Sequence, residues 1–282
     1  MPTLTVTNHN RNVTNFTYVY PVLSRRAGGL SIGINFNINN ACNWRCIYCQ
    51  VPDLKLGAAP EINLDLLAKE LRQFLNDVLH GDFYERMNVE NEQRVIKDIA
   101  IAGNGEPTSL ANFDEAVQVI AHIATENSIF PKSHFVLITN GSLIHRETVQ
   151  NGLKILNDFS GEVWFKMDSA TKEGRALVNN SAQMNEAVLK NLTLASNICS
   201  TKIQICLVDY QQRGFLESER EGFLNFLTEI KAKTLIQNIT IYTLARPSHQ
   251  PEAIDLKPMA LDVMQNFALE IQKLGFDAYA VA

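Results

Sequence analysis

Apolar and polar positions alternate with a period of two across residues 30–38 (LSIGINFNI), the pattern of a strand with two unlike faces. The period then changes. Leu64, Leu67, Leu71, Phe74, Leu75 and Val78 fall on one side of a helical wheel, which predicts an amphipathic helix over 64–79 with Asn63 as its N-cap. The polar, charged stretch 80–93 reads as an exposed connection. After it the order recurs. Short apolar strands are predicted at 96–102, 135–138, 163–167, 203–208 and 239–244, and helical spacing at 113–124 and around 145–157, 183–197, 217–232 and 259–274. Strands and helices in alternation predict an α/β fold with a parallel sheet and right-handed crossovers. Six strand–helix units rather than eight point to an open, partial (β/α)6 barrel. No internal repeat and no Pro/Ser/Gly-rich linker divides the chain. The expected organisation is an N-terminal extension (1–28), the barrel (29–250), and a C-terminal helix and tail packed on it (251–282).

Composition permits this reading. With 282 residues, 46% hydrophobic and 20% charged, the chain lies in the globular range, which excludes disordered, collagenous and low-complexity classes. The 25 Lys+Arg against 30 Asp+Glu leave a net charge of −5, so no overall basic field recruits nucleic acid or an anionic membrane. Residues 1–17 are polar and Asn/Thr-rich, without the apolar core of a signal peptide or spanning helix. A cytoplasmic location without membrane association is expected.

In such folds ligands gather where strands end and loops enter the helices, and the unusual residues of this chain fall there. After the first predicted strand, Cys42, Cys46 and Cys49 spell CxxxCxxC, three soft thiolate ligands on one loop. The odd total of five cysteines makes a secreted disulfide framework a poor explanation. A cubane iron–sulfur cluster has four irons, so three cysteines leave one iron open to a substrate or cofactor. Zinc would want a fourth ligand, and no further His or Cys lies close by in sequence; a plain electron carrier would use four cysteines.

After the second strand comes GNGEPT at 103–108, which taken alone is a tight turn into a helix. Thr139, Asn140 and Gly141 follow the third strand and by themselves are an ordinary turn. Lys166 and Asp168, two apart, share one face of the fourth strand, with Ser169 opening the next loop. Pointing inward, that charge pair favours a site; pointing outward, it is a strand-end salt bridge. Arg246, in TLARPSH, offers a planar fork for a carboxylate or phosphate, or is a surface arginine ahead of Pro247. Cys199 and Cys206 read as small buried hydrophobes.

CNWRCIYC at 42–49, including the aromatic Tyr48 before the last cysteine, resembles the signature loop of the radical S-adenosylmethionine (radical SAM) superfamily. GNGEPT resembles that family's GGEP motif, with Asn104 near the first of its two usual glycines, and the TNG segment at 139–141 resembles one that faces SAM. The resemblance spans roughly residues 29–246. It implies a [4Fe-4S] cluster on Cys42, Cys46 and Cys49, with the amino and carboxylate groups of SAM chelating the open iron. It further implies SAM-binding roles for Tyr48, Gly105, Glu106, Pro107, Thr139, Asn140, Lys166, Asp168 and Ser169, with Glu106 and glycine-exposed backbone holding the ammonium. The implied activity is reductive cleavage of SAM to methionine and a 5′-deoxyadenosyl radical that abstracts hydrogen from substrate. An electron donor such as flavodoxin or ferredoxin would feed it.

Residues 18–37 leading into the cysteine loop also resemble small proteins allied to wybutosine-type tRNA-modifying enzymes. Charge points the other way. Arg11, Arg25, Arg26, Lys55, Lys202 and Arg246 are dispersed in a chain of net charge −5, whereas polynucleotide binding draws on clustered Lys/Arg contacts. A small-molecule or peptide substrate, with Arg246 meeting its anionic group, is therefore favoured over tRNA. RNA modification, and a SAM/iron–sulfur binding protein without radical turnover, are the alternatives.

Overall fold

The computed structural model describes residue 4, residues 14–24 and residues 28–281. Strands β1 (Val19–Ser24) and β2 (Gly29–Ile34) run antiparallel, and a two-stranded parallel ribbon follows, β3 (Ala41–Cys42) with β4 (Lys55–Leu56). Next come α1 (Leu64–His80), α2 (Phe83–Arg86), β5 (Ile96–Ile101), α3 (Phe113–Glu126), β6 (His134–Thr139), α4 (Glu147–Asp158) and β7 (Glu162–Lys166). The chain continues through α5 (Lys172–Asn179), α6 (Asn185–Ile198), β8 (Ser200–Cys206), β9 (Val208–Tyr210), α7 (Glu217–Lys233) and β10 (Asn238–Tyr242). It ends with β11 (Leu256–Pro258), α8 (Leu261–Lys273) and β12 (Asp277–Val281).

Eight strands form one sheet in the order β1-β2-β5-β6-β7-β8-β10-β12, and every pairing from β2 to β12 is parallel. The end strands β1 and β12 do not pair with each other, so the barrel is open, as the count of units predicts. All six expected strands lie in the parallel stretch. Asn63 accepts a hydrogen bond from the Leu66 N–H at 2.9 Å, which gives α1 the expected cap.

Period two separates the two faces of this sheet. Ile32 and Ile34 of β2, Ile99 and Ile101 of β5, Phe135 and Leu137 of β6, and Val163 and Phe165 of β7 belong to one core with Leu71 of α1, Ile120 of α3 and Leu153 of α4. Each such burial stabilises by roughly 1.5–3 kcal/mol. The alternate positions carry Ser31, Gly33, Asp98, Ala100, Trp164, Lys166, Gln204 and Tyr242, which line a cavity of about 1090 Å³. Helices therefore cover the apolar face, and the polar face is left to enclose a ligand.

Three departures from the sequence reading have physical causes. Stretch 80–93 is not simply exposed: Phe83 is fully buried, meets Phe74 edge-on at 5.1 Å, and is joined in the core by Met87 and Val89. Residues 19–24, within the expected extension, form an edge strand that tolerates Pro21 because only one side of an edge strand needs its full ladder. The C-terminal tail supplies β12, parallel to β10, rather than only packing against the barrel. Phe83→Ala is expected to cost about 3–5 kcal/mol in urea unfolding, as a buried aromatic lost from a closed core. A loss below about 0.5 kcal/mol would mark the stretch as a surface connection after all.

Candidate functional site

The cysteine loop leaves β2 and is held from several sides. The Cys49 N–H bonds to the Cys46 carbonyl at 3.0 Å, the Ile47 N–H to Val178 at 2.9 Å, and the Ile47 side chain is buried. Residues from far along the chain complete the clamp. The Ser248 hydroxyl lies 2.7 Å from the Ile47 carbonyl and 3.0 Å from that of Cys49, and the His249 N–H donates to the Cys49 carbonyl at 2.9 Å. Arg45 makes a two-pronged ion pair with Glu252, both contacts at 2.8 Å. Two donors also reach sulfur: the Trp44 N–H at 3.5 Å from Cys42 Sγ, and Asn179 Nδ2 at 3.2 Å from Cys46 Sγ.

Cys42, Cys46 and Cys49 are all half-buried and all border the 1090 Å³ cavity. Burial pushes the Cys42 and Cys46 thiols up to about 12, with the negative charges of Glu106 and Asp168 adding to the effect. Only a cationic centre would hold such sulfurs as thiolates. Among the described residues, no three His, Cys, Asp or Glu side chains are grouped closely enough to hold a single metal ion. Three thiols along one cavity wall instead suit a cluster, in which each cysteine takes a different iron. The donor set fits a cubane and not zinc.

The GNGEPT loop lies against the start of the cysteine loop. Asn35 Oδ1 accepts from the Asn37 and Asn104 N–H groups at 3.1 and 3.0 Å, and Asn37 Nδ2 donates to the Ala41 carbonyl at 2.8 Å. A Cβ on Gly103 would stand 2.2 Å from Asn35 Oδ1, and one on Gly105 would stand 1.9 Å from the Ala41 carbonyl. The glycines thus allow one loop to touch another. Both glycines also border the cavity.

Glu106 lies at the same junction. It is 2% exposed, and its carboxylate accepts from the Thr108 N–H (3.1 Å) and hydroxyl (2.6 Å), the Thr139 hydroxyl (2.6 Å) and the Asn140 N–H (2.7 Å). Three of these donors share Oε1 and only the Asn140 N–H reaches Oε2, which keeps an acceptor site. Burial raises its pKa, and the four donors offset this only in part. Glu106 borders the cavity and ties the GNGEPT loop to the TNG turn. That turn needs Gly141 at φ +71, where a Cβ would also strike the Phe165 ring.

Lys166 and Asp168 point inward and form a buried network, not a strand-end salt bridge. Lys166 Nζ lies 3.3 Å from Asp168 Oδ1 and also bonds the Tyr242 hydroxyl, and it sits 5.1 and 4.9 Å from the Tyr48 and Tyr242 ring centroids. Burial pulls the Lys166 pKa down, but Asp168 and Tyr242 outweigh it and leave it raised. Asp168 in turn accepts from the Tyr48 hydroxyl, from Asn179 Nδ2 at 2.9 Å and from the Cys206 N–H at 3.0 Å. Asn179 therefore joins this hub to Cys46.

Of the residues singled out from sequence, Tyr48, Gly105, Glu106, Thr139, Asn140, Lys166 and Arg246 border the cavity together with the three cysteines. Asp168, Pro107 and Ser169 are not among its lining residues; Asp168 and Ser169 line a smaller pocket that shares Trp44, Asn140 and Lys166 with it. Ser169 turns toward α7, donating to Glu219 Oε2 at 2.8 Å, because it helps cap α5 through Thr171. Cys199 is buried as expected; Cys206 is buried too but borders the cavity. Sequence reasoning missed Asn179, Ser248 and Tyr242. A polar residue at a helix end, or in a loop some 200 positions from its partner, carries no spacing signal.

Residues 36–226 match the sequence profile of the Radical SAM superfamily. The chain is 30% identical over 138 residues to a GTPase Obg of Brachyspira hyodysenteriae, covering 48% of this chain and 17% of that protein. It is 32% identical over 154 residues to a UPF0026 protein of Methanocaldococcus jannaschii, covering 54% of this chain and 40% of that protein. The chain thus spans less than half the length of these curated relatives. Its fold is similar to that of a solved TYW1 with a bound lysine-pyruvate adduct, at a TM-score of 0.58 and 15% identity over 86% of this chain and 73% of that one. At this identity the likeness speaks for fold alone. The profile match covers most of the sequence and takes in the cysteine loop, GNGEPT and the TNG turn, so the chain belongs to the radical SAM superfamily, membership of which implies a [4Fe-4S] cluster and SAM.

Proposed function

We propose that this protein cleaves SAM reductively at a [4Fe-4S] cluster held by Cys42, Cys46 and Cys49, and directs hydrogen abstraction onto a small-molecule or peptide substrate inside the barrel. One observation carries the reading: the three thiols and the polar inner face of the sheet border the same 1090 Å³ cavity. That volume lies just above the usual range of ligand pockets, about 300–1,000 Å³, enough for a cofactor and a small substrate together. When bound, the cluster and SAM supply one-electron cleavage of a carbon–sulfur bond and abstraction of hydrogen.

The chain's own residues position and enclose. Gly105, Thr139, Asn140, Tyr48 and Lys166 border the volume SAM takes beside the cysteine loop. Glu106 borders the same volume and, with Pro107, Asp168 and Ser169, fixes the loops that present them. The Lys166 ammonium, half-caged by two tyrosine rings, offers a positive charge to a carboxylate at the cavity wall. Arg246 borders the cavity, and its planar guanidinium suits an anionic substrate group. A flavodoxin- or ferredoxin-like donor provides the electron, and the cytoplasm is the expected setting. No helix among the described residues is long and apolar enough to cross a membrane.

A small substrate is favoured over tRNA because the net charge is −5 and the cationic residues are dispersed along the sequence. Lys202 is paired with Glu162 at 2.8 Å, Lys55 lies in the cysteine-loop ribbon, and Arg11, Arg25 and Arg26 lie outside the described residues. Addition of SAM to the reduced, reconstituted protein is expected to change the cluster's electron paramagnetic resonance spectrum, as occupation of an open iron requires. An unchanged spectrum at saturating SAM contradicts the reading. Bulk tRNA is expected to bind weakly. Submicromolar, steeply salt-dependent tRNA binding, or tRNA-stimulated 5′-deoxyadenosine formation, would restore an RNA substrate.

A further inference from the structure

We propose that the inner face of β5 and β8 recognises a primary ammonium group of the substrate, with the Asp98 carboxylate as counter-ion and the Gln204 amide as a hydrogen-bond partner. The site deepens the reading above, since it lies in the same cavity. Asp98 projects from β5 and Gln204 from β8; they are 6% and 4% exposed, and both border the cavity. Among the described residues, the Asp98 carboxylate has a single hydrogen-bond partner, the Ser31 hydroxyl on the neighbouring strand. The Gln204 side-chain amide has none; only its backbone is engaged, accepting from the Met167 N–H at 2.9 Å.

No side-chain atom of Asp98 or Gln204 is among the sealed polar atoms that lack a partner, so their unpartnered atoms open onto the cavity. A buried carboxylate accepts two or three donors before its charge is compensated, and an amide left without partners is costly in proportion to its burial. Glu106 and Asp168 in the same fold show the contrast, each being met by four donors. The cations nearby are committed elsewhere. Lys202 is held by Glu162 at 2.8 Å and by the Trp164 ring at 4.4 Å, and Lys166 by Asp168 and Tyr242. His134, on the adjacent strand, opposes Asp98 in register but is exposed. Burial raises the Asp98 pKa, and Ser31, His134 and Lys202 offset this only in part. A ligand that brings three N–H donors and a positive charge supplies what the wall lacks. An anionic or purely apolar group would leave Asp98 worse off. The substrate class is therefore an amine presented on a chain or ring that fits the barrel, with its ammonium toward β5.

The test uses the anaerobically reconstituted, SAM-loaded protein and three probes of matched length, n-pentylammonium, 1-pentanol and pentanoate, titrated by calorimetry. Saturable binding of the ammonium is expected, about tenfold or more tighter than the alcohol, with pentanoate weakest. Asp98→Asn keeps the shape of the side chain and is expected to abolish the preference for ammonium over alcohol. Gln204→Leu is expected to weaken the ammonium severalfold, and it carries the test if Asp98→Asn does not fold. The exposed-surface control Glu221→Gln leaves the affinity unchanged. Pentanoate binding as tightly as the ammonium, non-saturable ammonium binding, or an unaltered preference in a folded Asp98→Asn or Gln204→Leu protein overturns the proposal. SAM cleavage is read separately on the unmodified protein, so loss of the radical SAM reading and loss of this site give different results.

Discussion

Replacing Cys42, Cys46 and Cys49 together with Ala is expected to abolish the iron–sulfur cluster of the reconstituted protein. The effect is all or none because no other residue set can substitute. Cys199 is sealed in the core beside the Gly161 carbonyl at 3.3 Å, and Cys206 lies on the far strand β8. Unmodified protein is expected to approach four irons per chain, since the remaining cysteines form no second group. A normal cubane spectrum in the triple variant, or a reproducible value near eight irons per chain, contradicts the assignment of a single cluster to this loop. The fold itself should survive the substitutions, because the loop is held by Ile47, Ser248 and the Arg45–Glu252 pair rather than by sulfur.

Glu106→Gln is expected to lower stability and SAM affinity together. The substituted amide brings a donor where Glu106 faces the backbone N–H groups of Thr108 and Asn140, so one buried N–H loses its acceptor whichever way the amide turns. Hydroxyls of Thr108 and Thr139 can rotate to accommodate it, but a backbone N–H cannot. The cost is about 1.5–3 kcal/mol, read as a lower urea midpoint at unchanged slope. Because Glu106 ties the GNGEPT loop to the TNG turn, SAM affinity is expected to fall about tenfold or more while the cluster absorbance persists. A drop in SAM affinity with an unchanged unfolding midpoint would mean that the carboxylate touches the ligand directly. Unchanged affinity and unchanged midpoint would remove Glu106 from the site's support altogether.

The parallel sheet was legible because period two is a property of the chain itself: each β strand alternates a residue for the helices with one for the cavity. The chemistry was legible because CxxxCxxC is a local ligand set. Strand β1 escaped because Pro21 interrupts a run that would otherwise look extended, and β12 because five residues after a helix give too little pattern. Phe83 escaped because a single buried ring in a charged stretch has no period.

The roles of individual side chains were harder to read than their neighbourhood. Sequence marks Glu106, Asp168 and Ser169 as residues of the site, yet whether a carboxylate faces a ligand or a neighbouring loop depends on donors contributed by other segments. The donors to Asp168 come from Tyr48, Lys166, Asn179 and Cys206, on four separate elements. The clamp of residues 248–252 on the cysteine loop has the same origin in long-range packing, and it lies outside the residues matched by the family profile.

The most direct test of the account is the product analysis of the reduced protein. Anaerobically reconstituted chain, reduced with dithionite and mixed with SAM, is expected to release methionine and 5′-deoxyadenosine in equal amounts, and the Cys42, Cys46, Cys49 triple variant to release neither. A protein that carries its cluster and binds SAM but forms no 5′-deoxyadenosine under these conditions would contradict the account and leave a SAM-binding iron–sulfur protein in its place.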